Sequence, residues 1–199
     1  MANIIDYLDW RGDLTLEDSP FNEVDNLLLA ELSFLDLEGI VPDVGQGKSV
    51  ALREAVAAYF QRNEGQSLSM GVLVPDQIPE MAEKMALSQR FSAMRLDGYR
   101  ACLDTQQEIQ FAALTVDLGN GCLYLSFRGT DDTIVGGKED FNMAFLPIVP
   151  SQRLAVDYIR DVAARYPGRK LYIGGHSKGG NLTVYGSVFC GAKIQRRIL

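Results

Sequence analysis

Apolar residues recur at helical spacing through the first half of the chain and then switch to strict alternation. Ile4, Ile5, Tyr7 and Leu8 predict a short amphipathic helix. Val24, Leu27, Leu28, Leu32 and Leu35 predict a second within 22–37. Val50, Leu52, Val56, Tyr59 and Phe60 predict a third that runs to about Arg62, with Ser49 as its N-cap. Pro79, Met81, Met85, Leu87, Phe91 and Met94 predict a fourth, its methionines read as core rather than as a binding surface. The texture changes near Leu96. Ile109, Phe111, Ala113 and Thr115 alternate, Gly119-Asn120-Gly121 supplies a tight turn, and Leu123, Leu125 and Phe127 alternate again. That combination predicts a β-hairpin.

Beyond the hairpin, Leu154, Tyr158, Ile159, Val162 and Ala163 mark an amphipathic helix over 151–166, stopped by Pro167-Gly168. Leu171-Tyr172-Ile173 reads as a short buried strand, and Leu182, Tyr185, Val188 and Phe189 as a helix from Lys178 onward. Hairpin, helix, strand, helix is an α/β order. The organisation expected is a mainly helical segment over 1–95 packed on an α/β core over 96–199.

Composition narrows the class. The 199 residues are 47% hydrophobic and 23% charged, within the range of one globular domain. No stretch is long and apolar enough to span a bilayer, and the first residues are acidic, with Asp6, Asp9, Asp13, Glu17 and Asp18. A cytoplasmic location is expected on that ground. The net charge of -7, with no basic stripe, argues against a nucleic-acid partner. Cys102, Cys122 and Cys190 are too few and too scattered for a disulfide framework or a zinc site, so neither metal nor organic cofactor is expected. Gly45-Gln46-Gly47-Lys48-Ser49 imitates the end of a phosphate-binding loop, but Pro42 stands where its first glycine belongs.

The candidate chemistry lies in Gly175-His176-Ser177-Lys178-Gly179, a G-x-S-x-G sequence between a predicted strand and a predicted helix. A serine on so sharp a turn needs tiny neighbours two positions away, which Gly175 and Gly179 provide. The turn lifts the Ser177 hydroxyl to the positive end of the following helix, where the Lys178 backbone N–H is placed to bind an oxyanion. Ser177 is therefore the candidate nucleophile, expected at positive φ. His176, facing away from its neighbour, is poorly placed as a base. Lys178 is another candidate base, since serine–lysine pairs exist, but its side chain starts the helix and is expected to project toward solvent or the pocket rim.

Phe127-Arg128-Gly129-Thr130-Asp131 followed by Gly174-Gly175-His176-Ser177-Lys178-Gly179-Gly180 resembles the class 3 lipase group of the α/β-hydrolases. Lys178 replaces the leucine of that pattern. The Ser-Lys-Gly-Gly-Asn-Leu form, with Lys-Glu-Asp-Phe at 138–141, is more similar to a family of bacterial lipase-like proteins. The resemblance covers 109–190 and implies an α/β-hydrolase-like fold in which the 175–179 turn is the nucleophile elbow, cut short after the helix that follows that elbow. It also implies an oxyanion hole from the Thr130 and Lys178 amides. Asp140 would hold the Thr130 loop, although a solvated helix cap remains the other reading of that residue.

The implied function is a lipase/esterase-like serine hydrolase acting on a small acyl or lipid-like ester or thioester through an acyl-enzyme. A serine peptidase is a weaker alternative on the same fold. Triads of this type run serine, acid, histidine along the chain, yet the only histidine, His176, precedes Ser177. Two expectations follow. The chain is a fragment or truncated product of a longer hydrolase, or else a shortened, non-catalytic binding or assembly module. In either case it should hydrolyse esters poorly, and the strand ending at Ile173 should expose an edge that favours a homodimer or larger oligomer.

Overall fold

The computed structural model describes residues 3–72 and 74–199. Two helices open the chain, α1 (Ile4–Arg11) and α2 (Glu23–Leu32), and each begins with a capping box. Asn3 and Asp6 exchange side-chain-to-backbone bonds at the first, and Asn22 and Asp25 at the second. Asp25 serves twice, because the Arg90 guanidinium, itself fully buried, pairs with its carboxylate through Nε at 2.7 Å. The same guanidinium donates to the carbonyls of Leu14, Thr15, Ser19 and Pro20. One buried arginine thereby closes the α1–α2 connection against the segment that leads into the sheet.

Next come β1 (Val50–Ala51), α3 (Leu52–Arg62) and α4 (Ile78–Leu87). Ser49 does not cap α3, whose N-cap is Ala51; its hydroxyl instead accepts from Arg95 Nε at 3.1 Å. Phe91 and Met94 lie beyond the end of α4, but both are buried as their apolar character demands.

The sheet is mixed and five-stranded, in the order β1, β2 (Arg95–Asp104), β3 (Ile109–Asp117), β4 (Cys122–Phe127), β5 (Lys170–Gly175). All neighbours are antiparallel except β4 and β5, which run parallel with Leu125 opposite Ile173. The expected hairpin is β3–β4. Strand β2 escaped the periodicity reading for a physical reason. Its register with β3 shifts between Asp97 and Arg100, where Gly98 sits at φ 65°, so the bulge breaks the alternation.

The remaining helices are α5 (Ile134–Asn142), α6 (Pro150–Arg165), α7 (Lys178–Phe189) and the short α8 (Ala192–Gln195). The sheet is covered on both faces. Leu114, Val116 and Tyr124 pack against Leu28, Leu32, Met81 and Phe91 of the N-terminal helical layer. Phe111, Ala113, Leu125 and Phe127 pack against Tyr158, Ile159 and Val162 of α6 and Leu182 of α7. Each of the Val, Leu, Ile, Phe and Met side chains among them contributes about 1.5–3 kcal/mol by leaving water. Polar contacts fix α2 on β4, where Tyr124 Oη and Ser126 Oγ donate to the carbonyls of Asn26 and Leu29 at 2.9 and 2.8 Å.

The outer edge of β5 departs from the expected open one. Leu171 pairs in parallel with Ile198, donating to the Arg197 carbonyl and accepting from the Leu199 N–H, both at 2.9 Å. The Arg197 guanidinium anchors that segment on the carbonyls of Ala163, Tyr166 and Arg169. The chain's own last residues therefore cover the start of the edge. Among the described residues, no helix is long and apolar enough to cross a membrane.

Candidate active site

Ser177 stands between the end of β5 at Gly175 and the start of α7 at Lys178, with φ 54° and ψ -119°. Positive φ is costly for a residue with a side chain, about 1–3 kcal/mol, and persists only where the surroundings impose it. The surroundings here are the end of β4. A Cβ on Gly179 would lie 2.0 Å from the Phe127 carbonyl oxygen, and one on Gly175 would lie 2.5 Å from the same atom. A Cβ on Gly129 would lie 2.6 Å from the His176 carbonyl oxygen. Three glycines thus let the 175–179 turn and the 127–130 segment lie backbone against backbone. Ser177 itself is exposed.

Two main-chain donors flank this contact. The Thr130 and Lys178 N–H groups have no hydrogen-bond acceptor among the described residues. The next amides of α7 are engaged, Gly179 N–H with the His176 carbonyl at 2.8 Å and Gly180 N–H with the Ser177 carbonyl at 2.9 Å. The Thr130 hydroxyl donates to Asp140 Oδ2 at 2.5 Å, so Asp140 of α5 clamps the loop and is no solvated cap. Asp140 Oδ1 is buried and has no hydrogen-bond partner among the described residues. Thr133 caps α5 by accepting from the Gly136 N–H at 3.1 Å.

Lys178 differs from expectation. Its side chain is 1% exposed and reaches Glu139 Oε2 at 3.1 Å, with Glu139 itself fully buried. Its ammonium also donates to the Gln110 backbone carbonyl at 2.6 Å and to the Gln110 side-chain oxygen. The physical reason is the carboxylate. Glu139 accepts as well from the Gln110 N–H at 3.0 Å, the Ser151 N–H at 2.9 Å and the Ser151 hydroxyl. It offers the cation a fully bonded counter-charge, without which a buried lysine is untenable. Burial pushes the Lys178 ammonium below its ordinary pKa, with Glu139 opposing the shift. With its Nζ committed to these partners, Lys178 cannot serve Ser177 as a base. Glu139 was not singled out for any role in the sequence. The available signal is Lys178 standing where the lipase pattern has leucine, since a lysine at an apolar position calls for an acid nearby.

His176 turns to the N-terminal layer. Its Nε2 lies 3.9 Å from Glu31 Oε1 of α2, and its ring packs edge-on against Phe34. Its Nδ1 is buried without a hydrogen-bond partner among the described residues, Ser177 included. Burial raises the Glu31 carboxyl above the usual range, and the nearby His176 offsets part of that shift. Nothing in the sequence links Glu31 to this site, because only the packing of α2 on β4 and β5 brings it there. Beside the Thr130 loop, Ile134 and Phe141 on α5 and Phe145 just after it are exposed. No cluster of three or more metal-ligating side chains occurs among the described residues.

No curated protein and no solved structure matches the chain. A family model does, over residues 85–199, which takes in β2 to β5 and α5 to α8, and with them Gln110, Thr130, Glu139, Asp140 and Ser177. That match spans more than half of the chain and the whole elbow region, and on it the chain belongs to the Mbeg1-like family.

Proposed function

We propose that Ser177 is the nucleophile of a lipase/esterase-like serine hydrolase site on an α/β-hydrolase-like core. The observation that carries the proposal is Ser177 at φ 54° on a strand-to-helix turn, pressed by glycine contacts against the loop that bears the Thr130 N–H, which has no acceptor among the described residues. In the reaction, Ser177 Oγ attacks the carbonyl carbon of an ester, and its proton passes to solvent. The carbonyl oxygen takes up the negative charge between the Thr130 and Lys178 N–H groups. Collapse of that intermediate expels the alkoxide, which takes a proton from solvent, and leaves an acyl-enzyme, which water then hydrolyses. Asp140 is a positioning residue that holds the Thr130 loop through its hydroxyl. The exposed Ile134, Phe141 and Phe145 support an acyl or lipid-like substrate.

The step that lacks support in this chain is proton removal from Ser177. His176 is the only histidine and its ring turns toward Glu31 and Phe34, while Lys178 is held by Glu139 and Gln110. Turnover is therefore slow and confined to esters whose leaving group needs no protonation. The same observation favours the second reading, a non-catalytic module of this fold. The test is the reaction with p-nitrophenyl acetate, followed by release of p-nitrophenol and by the mass of the intact protein. Acylation of Ser177 that is lost in Ser177→Ala supports the hydrolase site. An equal extent of acylation in Ser177→Ala, or none in either protein, refutes it and leaves the binding module.

A further inference from the structure

Gln110 reaches both halves of the proposed oxyanion hole. Its side chain is buried, at the end of β3 that extends past the last residue of β4. Its Nε2 donates to the Gly129 carbonyl at 3.3 Å, and its Oε1 accepts from Lys178 Nζ. The amide has no freedom to flip. A lysine ammonium only donates and a peptide carbonyl only accepts, so oxygen must face Lys178 and nitrogen must face Gly129. Glu139 fixes the ammonium in turn, and α5 closes over the group. A Cβ on Gly136 would lie 3.0 Å from Thr130 Cγ2 and 3.2 Å from Gln110 Oε1.

The carbonyl that Gln110 grips belongs to the Gly129–Thr130 peptide. No peptide bond in the described chain is cis, and in a planar trans peptide the C=O and N–H point in opposite directions. Holding the Gly129 carbonyl toward the buried Gln110 therefore turns the Thr130 N–H away from the buried network. Gly129 has no Cβ, so this peptide rotates easily and needs such a hold. We infer that Gln110 is a positioning residue that sets the direction of the Thr130 N–H. The Glu139–Lys178 pair locks its amide, so that one buried chain of bonds links the two oxyanion donors. This rests on the reading of Ser177 as a nucleophile, and it adds two residues that touch no substrate, Gln110 and Glu139, and a role for the Lys178 side chain.

The test uses the full chain, with Gln110→Leu and the size-preserving Gln110→Glu, whose carboxylate still meets Lys178 but presents an acceptor to the Gly129 carbonyl. Two readouts are taken. One is the residual dipolar coupling of the Thr130 N–H in the free protein, which reports bond direction and needs no activity. The other is the affinity for phenylboronic acid, which forms a tetrahedral adduct on a serine oxygen without a general base. The expected result is a displaced Thr130 coupling in both variants, with the couplings in β3 and β4 unchanged. Boronate binding is expected to weaken about tenfold to a hundredfold, below the 10²–10³ typical of losing a donor outright. An unchanged Thr130 coupling in a folded variant overturns the inference. A displaced coupling with undiminished boronate affinity overturns the oxyanion role. Failure of the wild-type Ser177 to take boronate, with the coupling still displaced in the variants, removes the hydrolase reading while Gln110's hold on the peptide stands.

Discussion

Breaking the Glu139–Lys178 pair is the sharpest test of how the elbow is held. The two side chains are 0% and 1% exposed, so neither charge is relieved by solvent when its partner goes. Removing one member of such a pair typically costs about 3–5 kcal/mol, a large part of the roughly 5–15 kcal/mol that stabilises a domain. Lys178→Met should fall at the low end, because Glu139 keeps the donors of Gln110 and Ser151. Glu139→Gln should fall at the high end, because the ammonium then has only neutral acceptors. The double variant replaces both charges while the glutamine oxygen still accepts from Ser151, and should lose only about 1–3 kcal/mol, less than either single change. Urea unfolding at neutral pH, followed by far-ultraviolet circular dichroism with comparable slopes, measures all three. In thermal melts each kcal/mol corresponds to roughly 2–4 °C at this chain length. Additive losses, or single losses below about 1 kcal/mol, would refute the claim that this pair is desolvated and mutually dependent.

Ser177→Gly should raise stability by about 1 kcal/mol by relieving the positive φ, while abolishing acylation at that position; a melting temperature at or below that of the parent chain would show that the turn is not strained. Gly179→Ala should cost more than about 2 kcal/mol, since its methyl would meet the Phe127 carbonyl oxygen at 2.0 Å, whereas Gly137→Ala in α5 has open space and should gain about 0.5–1 kcal/mol. Equal effects of these two substitutions on the urea midpoint would contradict the backbone contact. Glu31 has a carboxyl pKa raised chiefly by burial, so its contribution is present below the ordinary carboxylate range and is lost as pH rises through the raised value. Relative to Glu31→Gln, the parent chain should therefore lose stability across that range and above it, and a parallel pair of stability-versus-pH curves would exclude the effect.

The elbow was legible because its requirements are local. A strand, a helix and glycines two residues either side of Ser177 are all specified within a dozen residues, and the backbone responds to nearest neighbours. The hairpin and α6 were legible for the same reason, each carrying its own period. Strand β2 was not, because the Gly98 bulge that breaks its alternation is stabilised by partners far along the chain. One of these is Tyr158, whose hydroxyl donates to the Gly98 carbonyl at 2.7 Å. The direction of the Lys178 side chain is not legible locally, on the same principle. A lone lysine at a helix start belongs in water, and only the fold supplies Glu139, Gln110 and Ser151 as a buried receptor for it. Glu31 and Gln110 carry no signal at all in the sequence, since a carboxylate in an amphipathic helix and an amide in a strand are ordinary residues there. The sequence by itself determined which residue is presented on the turn and that its neighbours two positions away must be glycines. Tertiary structure alone decided what lies behind them, because the electrostatic cost of burying a charge or an amide is met only by groups that folding brings together.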